Sequence, residues 1–169
     1  KYNRKLKTHV IATVSGTVQG FEERRNRFNK IIDHIIIEND GIGQTIELDK
    51  LEGPLSASVI RERLNVCGIH QVTVDGIYTD IDFNQPIEHI IINAVYTNEP
   101  FISTDYEFVK QYAEMIADGI SLLKTASLAL TATLIVDKFM DAETLEALGK
   151  ATVDKGIEVI EINTKKVQG

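Results

Sequence analysis

Three aspartates, Asp75, Asp80 and Asp82, fall close together near a strand end, and carboxylates so placed can ligate Ca²⁺ or Mg²⁺ through oxygen. Asp80 and Asp82, with His70, are the polar contacts that a small enzyme or ligand-binding domain would use at a site around Asp75–Asn84. The EF-hand spacing is missing, however, and no Gly-rich turn encloses the three. Asp and Asn favour turns by bonding their own backbone, so a solvated corner is the preferred reading. The histidines are His9, His34, His70 and His89, and none forms an H-x-x-x-H or H-E-x-x-H pair. His34 and His89 each stand between an acid and an Ile run, the setting of a part-buried imidazole at the edge of an element. No G-x-S-x-G, P-loop or G-x-G-x-x-G occurs, and Gly41-Ile42-Gly43 is explained by a turn. Cys67 is the lone cysteine, which excludes an intrachain disulfide and a Cys-based metal site. No catalytic, cofactor-binding or metal-ligating residue is therefore assigned, and the balance leans away from an enzyme.

The composition narrows the partners. With 169 residues, 43% hydrophobic and 25% charged, the chain suits one globular domain or two small lobes. A net charge of −7 argues against a phosphate-backbone footprint, so no nucleic-acid partner is expected. No apolar run approaches the ~20 residues that span a bilayer, and no signal-peptide pattern is present. The expectation is a cytoplasmic protein with no membrane partner. The chain begins at Lys1 rather than Met, as a fragment of a longer protein would. Positive charge gathers early, at Lys1, Arg4, Lys5 and Lys7, then Arg24, Arg25, Arg27 and Lys30. A solvated face explains that, with a subunit contact as the competitor.

Periodicity supplies the elements. Thr8–Val18 alternates and is β-branched, which predicts a strand. In Phe21–Glu38, Phe28, Ile31, Ile32, Ile35 and Ile36 recur at helical spacing, which predicts an amphipathic helix. The rival reading makes Ile31–Ile37 a strand. A short strand at Gln44–Leu48 precedes a helix at Pro54–Leu64, with Pro54 at its first position and Leu55, Val59, Ile60 and Leu64 inward. Ile69–Thr79 reads as a strand that bends or bulges at Asp75-Gly76. Glu88–Thr97 is near-continuously apolar, as in a strand buried on both faces. Ser103–Lys124 is the clearest helix, with Thr104 and Glu107 as a capping box and Val109, Tyr112, Ala113, Ile116, Ile120 and Leu123 as its inner stripe. Leu128–Val136 reads as a strand. Asp141 caps a last helix that places Leu145 and Leu148 inward and stops at Gly156, and Ile157–Ile162 closes the chain as a strand.

The order β-α-β-α-β-β-α-β-α-β argues an α/β (α+β) fold, with a mixed sheet covered by amphipathic helices. The short link between 69–79 and 87–97 implies an antiparallel hairpin across 69–97. Residues 1–98 form one strand–helix–strand–helix–hairpin module, and 99–169 a helix–strand–helix–strand extension that shares its core. Two echoes, Leu6-Lys7-Thr8 with Leu123-Lys124-Thr125 and DHIII (33–37) with EHIII (88–92), are too short to prove duplication.

Two family comparisons arise from the motifs. VSGTVQG (14–20) looks like the opening of the acylphosphatase motif, but Phe21 is followed by Glu22-Glu23, whose charge would repel phosphate, so that reading is rejected. The strand HVIATVSGTV, the helix FEERRNRFNKIIDHII, the turn and strand GIGQTIEL, the segment SASVIRERLNVCGIHQVTV, the corner Asp80-Ile81 with Asn84, and the strand EHIIINAV follow one another in an order that resembles the C-terminal region of baseplate J-like proteins of contractile phage tails, over residues 8–97. The departure is Glu99–Gly169, which that pattern does not require. The resemblance implies a non-enzymatic structural protein of a phage-tail baseplate, without cofactors. Its partners would be other protein subunits, in a homo- or hetero-oligomer of a virion-like particle.

Overall fold

A computed structural model describes residues 2–3, 8–26, 28–69, 71–72, 78–79, 83–85, 87–95 and 104–163. Its centre is a three-stranded parallel sheet in the order β7-β8-β9, formed by His89–Asn93, Thr131–Asp137 and Ile157–Ile162. Parallel strands need a long crossover, and helices provide both. Helices α2 (Thr104–Gln111) and α3 (Ala113–Ser127) carry the chain from β7 to β8, and α4 (Ala142–Val153) carries it from β8 to β9.

The alternation of side chains along these strands decides the core. Ala132, Leu134 and Val136 of β8 face the helices together with Ile90 and Ile92 of β7 and Ile157 and Val159 of β9. They meet Ala113, Ala117 and Ile120 of α3 and Leu148 and Ala151 of α4. Alanines on the inner stripe of α3 let its backbone come close to the sheet, while Leu134, Val136 and Leu148 fill the space and are fully buried. Lys155 ties the layer at its rim, with Nζ 3.3 Å from Asp118 and 3.7 Å from Glu114 on α3.

The other face of this sheet carries His89, Ile91 and Asn93 from β7, Thr133, Ile135 and Asp137 from β8, and Glu158 and Ile160 from β9. Ile91 is 64% exposed, so β7 is buried on one face, not on both as its apolar run implied. Nor does it close a hairpin over 69–97. Its ladder is spent on β8 in parallel, and the predicted strand 69–79 is instead two short strands, β5 (Gln71–Val72) and β6 (Tyr78–Thr79), paired antiparallel with each other. Asp75-Gly76, a hairpin-turn dipeptide, stands between them in sequence and lies outside the described residues.

The largest correction concerns Phe21–Glu38. It is not a helix. β3 (Gly16–Arg25) and β4 (Ile31–Asn39) form a long antiparallel ribbon with a register shift between Val18 and Gly20. The Ile run fits both periods, and its β-branched side chains favour the pleated one. The turn chemistry settles the matter: Asn26 Oδ1 accepts from the backbone N–H of Phe28 and of Lys30, each at 3.0 Å, and Asn29 takes φ +60°. The base of the ribbon is latched as well. Ser15 Oγ donates to Asp40 Oδ1 at 2.6 Å and accepts from the Gly43 N–H at 2.9 Å.

Other boundaries move. The strand predicted at Thr8–Val18 shrinks to β2 (Thr8–His9), paired with β1 (Tyr2–Asn3), before β3 begins. Gln44–Leu48 forms no ladder. Helix α1 is Ala57–Val66 rather than Pro54–Leu64, because Ser56 is its cap and accepts from the Val59 N–H. Within it Ile60 is buried, while Val59 is 38% exposed. Gly68 ends α1 at φ +67°, where a Cβ would stand 2.7 Å from the His9 carbonyl oxygen. The single helix predicted over 103–124 is broken at Tyr112 into α2 and α3, with no Gly or Pro there to announce it. The α+β class holds throughout.

Candidate functional site

In open α/β sheets ligands gather outside the carboxyl ends of the parallel strands. Here that edge is formed by Asn93, the last residue of β7, and Ala94 after it, by Asp137, the last residue of β8, and the segment through Asp141, and by Ile162 of β9. The strand ends are joined by backbone bonds from the Ala94 N–H to the Ile135 carbonyl and from the Lys138 N–H to the Ile162 carbonyl, each 2.9 Å. Phe139 follows, 55% exposed, with the Lys138 ammonium 4.8 Å from its ring centroid.

Asp141 is the polar centre of this edge. Its Oδ1 accepts from the Thr144 N–H at 2.9 Å, which makes it the N-cap of α4, as its position in the sequence predicts. Its Oδ2 accepts from the Thr144 hydroxyl at 2.9 Å and from the Tyr106 hydroxyl of α2. The Lys110 ammonium lies 3.8 Å away. The Tyr106 hydroxyl, then the Thr144 amide and hydroxyl, hold the Asp141 carboxyl well below the usual carboxylate range. The same bond pushes the Tyr106 phenol up.

That electrostatic state limits the chemistry. A carboxylate held so far below neutral pH is a poor proton acceptor, and all its near donors are already engaged. The group anchors α2 to the start of α4. A depressed carboxylate stabilises the fold above its unfolded-state pKa, near 4, and that contribution fades as pH falls through the folded value. A raised phenol contributes below its own unfolded-state value, near 10, and loses that contribution as pH rises through the folded one. Tyr106→Phe is therefore expected to lower Tm at neutral pH and to have progressively less effect as Asp141 is protonated in acid. Melting curves of both proteins from neutral to strongly acidic pH check this. A Tm gap that stays constant into acid would contradict it.

A second polar group lies on the sheet face turned away from the helices. His89 places Nδ1 2.6 Å from Thr131 Oγ1 and Nε2 3.0 Å from Thr133 Oγ1, and Thr133 reaches Glu158 Oε2 at 3.5 Å. These groups satisfy one another across three strands. His89 is exposed at an element edge rather than part-buried as expected. His34 is part-buried, with Nδ1 3.0 Å from the Ile32 carbonyl, and His9 sets Nδ1 2.9 Å from Asn65 Oδ1.

Of the corner considered for metal or ligand binding, Asp75, Asp80, Asp82 and His70 lie outside the described residues. Asn84 is an exposed turn residue beside a shallow hollow of about 390 Å³ that Phe83, Ile87 and Leu130 also line. Among the described residues no group of three or more His, Cys, Asp or Glu could hold a metal ion. The Asp141 cluster was invisible as a cluster in the sequence. Asp141 was legible as a cap, but Tyr106 reaches it from α2, packed beside α4 on the same face of the sheet, and only the tertiary fold brings them together.

The fold and its carboxyl-end edge thus define a parallel βαβαβ unit covered by helices, its second crossover helix capped by Asp141, preceded in the chain by a β-ribbon. No family model matches the chain. It is similar to the C subunit of the Na⁺-translocating ferredoxin:NAD⁺ oxidoreductase complex of Acetobacterium woodii, at 27% identity over 169 aligned positions. The match covers 95% of this chain and 38% of that subunit, so the chain spans well under half the length of this relative.

These findings overturn the baseplate reading. The similarity runs to a subunit of a redox complex, so the phage-tail, virion-assembly and structural-protein expectations fall with it. The physical reason is in the ribbon. The baseplate pattern needed an amphipathic helix at 21–38, and that stretch is β3 and β4. The ligand-binding alternative around residues 75–84 gains nothing from the comparison.

Proposed function

We propose that this chain is part of a subunit of a multi-subunit electron-transfer complex of the ferredoxin:NAD⁺ oxidoreductase kind, and that it works there through contacts with other proteins. The observation that carries this is the extent of the similarity, which runs along 95% of the chain rather than over one motif. Two features support it. Parallel sheets are ordinarily covered on both faces, yet on the face turned away from the helices Ile91 and Ile160 are exposed. The best-formed polar cluster, at Asp141, is committed to anchoring helices. An assembly that translocates an ion does so across a membrane, so the expectation of no membrane partner is withdrawn for a complex of this kind.

The test is genetic and biochemical. An affinity tag on the encoded protein in its native host should bring down a defined set of subunits. Deletion of its gene should abolish ferredoxin-dependent NAD⁺ reduction by the isolated membranes. Isolation of the tagged protein alone, with that activity intact in the deletion strain, would end the proposal.

A further inference from the structure

We propose that the tip of the β3–β4 ribbon is a contact for an anionic lipid surface. This goes beyond the assembly reading and stands on the ribbon alone. Residues 24–32 hold four cations, Arg24, Arg25, Arg27 and Lys30, and no carboxylate, in a chain whose net charge is −7. The last two ladder pairs each set a cation opposite an isoleucine: Arg25 faces Ile31 and Arg24 faces Ile32. Both faces of the ribbon therefore end in one charge and one branched aliphatic chain. Ile31 is 59% exposed, Ile32 45% and Phe28 53%.

The connection that presents them is built in advance. The Asn26 N–H donates to the Lys30 carbonyl and the Asn29 N–H to the Asn26 carbonyl, each at 2.9 Å. Arg25 Nη1 donates to the Asn29 carbonyl at 3.1 Å and to its side-chain oxygen at 3.2 Å. Arg24 is paired with Glu22 at 2.7 Å, and Glu23 stands opposite Asp33 further down the ribbon. The attraction to a negative surface thus comes from Arg25 and Lys30, with Arg27 adding its charge, while the acids nearby and the acidic remainder of the chain are repelled. Charge of this distribution favours contact through the tip.

An anionic bilayer matches both halves of this chemistry. Its headgroups attract the cations, and its interfacial layer takes up exposed Phe and Ile side chains. A nucleic-acid backbone or a purely acidic protein surface would engage the cations and leave the apolar side chains in water. Among the described residues no helix is long and apolar enough to cross a membrane, so the contact proposed is with the surface.

The chain has no Trp, which makes Phe28→Trp a unique reporter. With vesicles of equal parts phosphatidylcholine and phosphatidylglycerol, the whole chain should co-sediment, and Trp emission should move to shorter wavelength. With phosphatidylcholine alone it should do neither. Arg25→Gln with Lys30→Gln should weaken partitioning by about 30-fold, and raised salt should weaken it too. Lys150→Gln, at an exposed helix site distant in sequence, should leave partitioning unchanged. Sedimentation of the wild-type chain guards against a perturbing Trp. The proposal is overturned if the wild type stays in the supernatant with anionic vesicles, if it binds both vesicle types equally, or if Lys150→Gln weakens binding as much as the double variant.

Discussion

Leu134→Ala is expected to lower the unfolding free energy of the parallel-sheet unit by about 3–5 kcal/mol. Leu134 is the middle residue of the middle strand and is fully buried. Its register partners are Ile92 of β7 and Val159 of β9, both packed against the same cluster. Truncation loses the transfer energy of the missing carbons and leaves a cavity between two rigid layers. The strands are hydrogen-bonded on both sides of Leu134, so the site can collapse little, which places the cost in the upper part of the usual range. The contrast is Ile91→Ala on the same sheet. Ile91 is 64% exposed, and its truncation should change the stability of the chain by about 0.5 kcal/mol or less. Denaturant titration followed by far-UV circular dichroism reads both. Equal losses would mean that Ile91 is packed as closely as Leu134.

Gly16→Ala is expected to undo the base of the ribbon while leaving the parallel-sheet unit intact. Gly16 has φ +149°, which side-chain-bearing residues rarely adopt, and a Cβ there would lie 1.9 Å from the Glu38 carbonyl oxygen. That oxygen is backbone, in the paired strand, and cannot rotate aside. The strand must separate at this end or slip in register. A two-stranded ribbon is marginal by itself, so the cost appears as local opening. Amide exchange in β3 and β4 should accelerate by about 10- to 100-fold, and exchange in β8 should not change. Ribbon amides as protected as in the wild type would refute this.

The sequence was most legible where one period ruled. Ile157–Ile162 and the stripe of Val109, Ala113 and Ile120 fell where the pattern placed them, because a strand and a helix cannot share those spacings. Asp141 was read correctly as a cap because capping is local. Ile31–Ile37 failed because its isoleucines satisfy both periods, and the deciding bonds of Asn26 are turn bonds that apolar spacing does not register. The pairing of β7 was misread since a short link to 69–79 looked like a hairpin, whereas the hairpin lay inside 69–79 itself. The Tyr106–Asp141 contact spans 35 positions and exists only through tertiary packing. The exposed apolar surface was likewise illegible, for a hydrophobic residue in a pattern is presumed to be inside.

The order β7-β8-β9 also bears on how the unit assembles. Each core strand is bonded to the next one along the chain, so the two loop closures are serial and neither is nested inside the other. Closing one does not require the other, and each costs only the entropy of its own crossover. The docking of α4 and β9 onto β8 can therefore begin before or after that of β7. A substitution that delays one closure should slow a single kinetic step and spare the other, and such a chain can be searched for folding intermediates from either end.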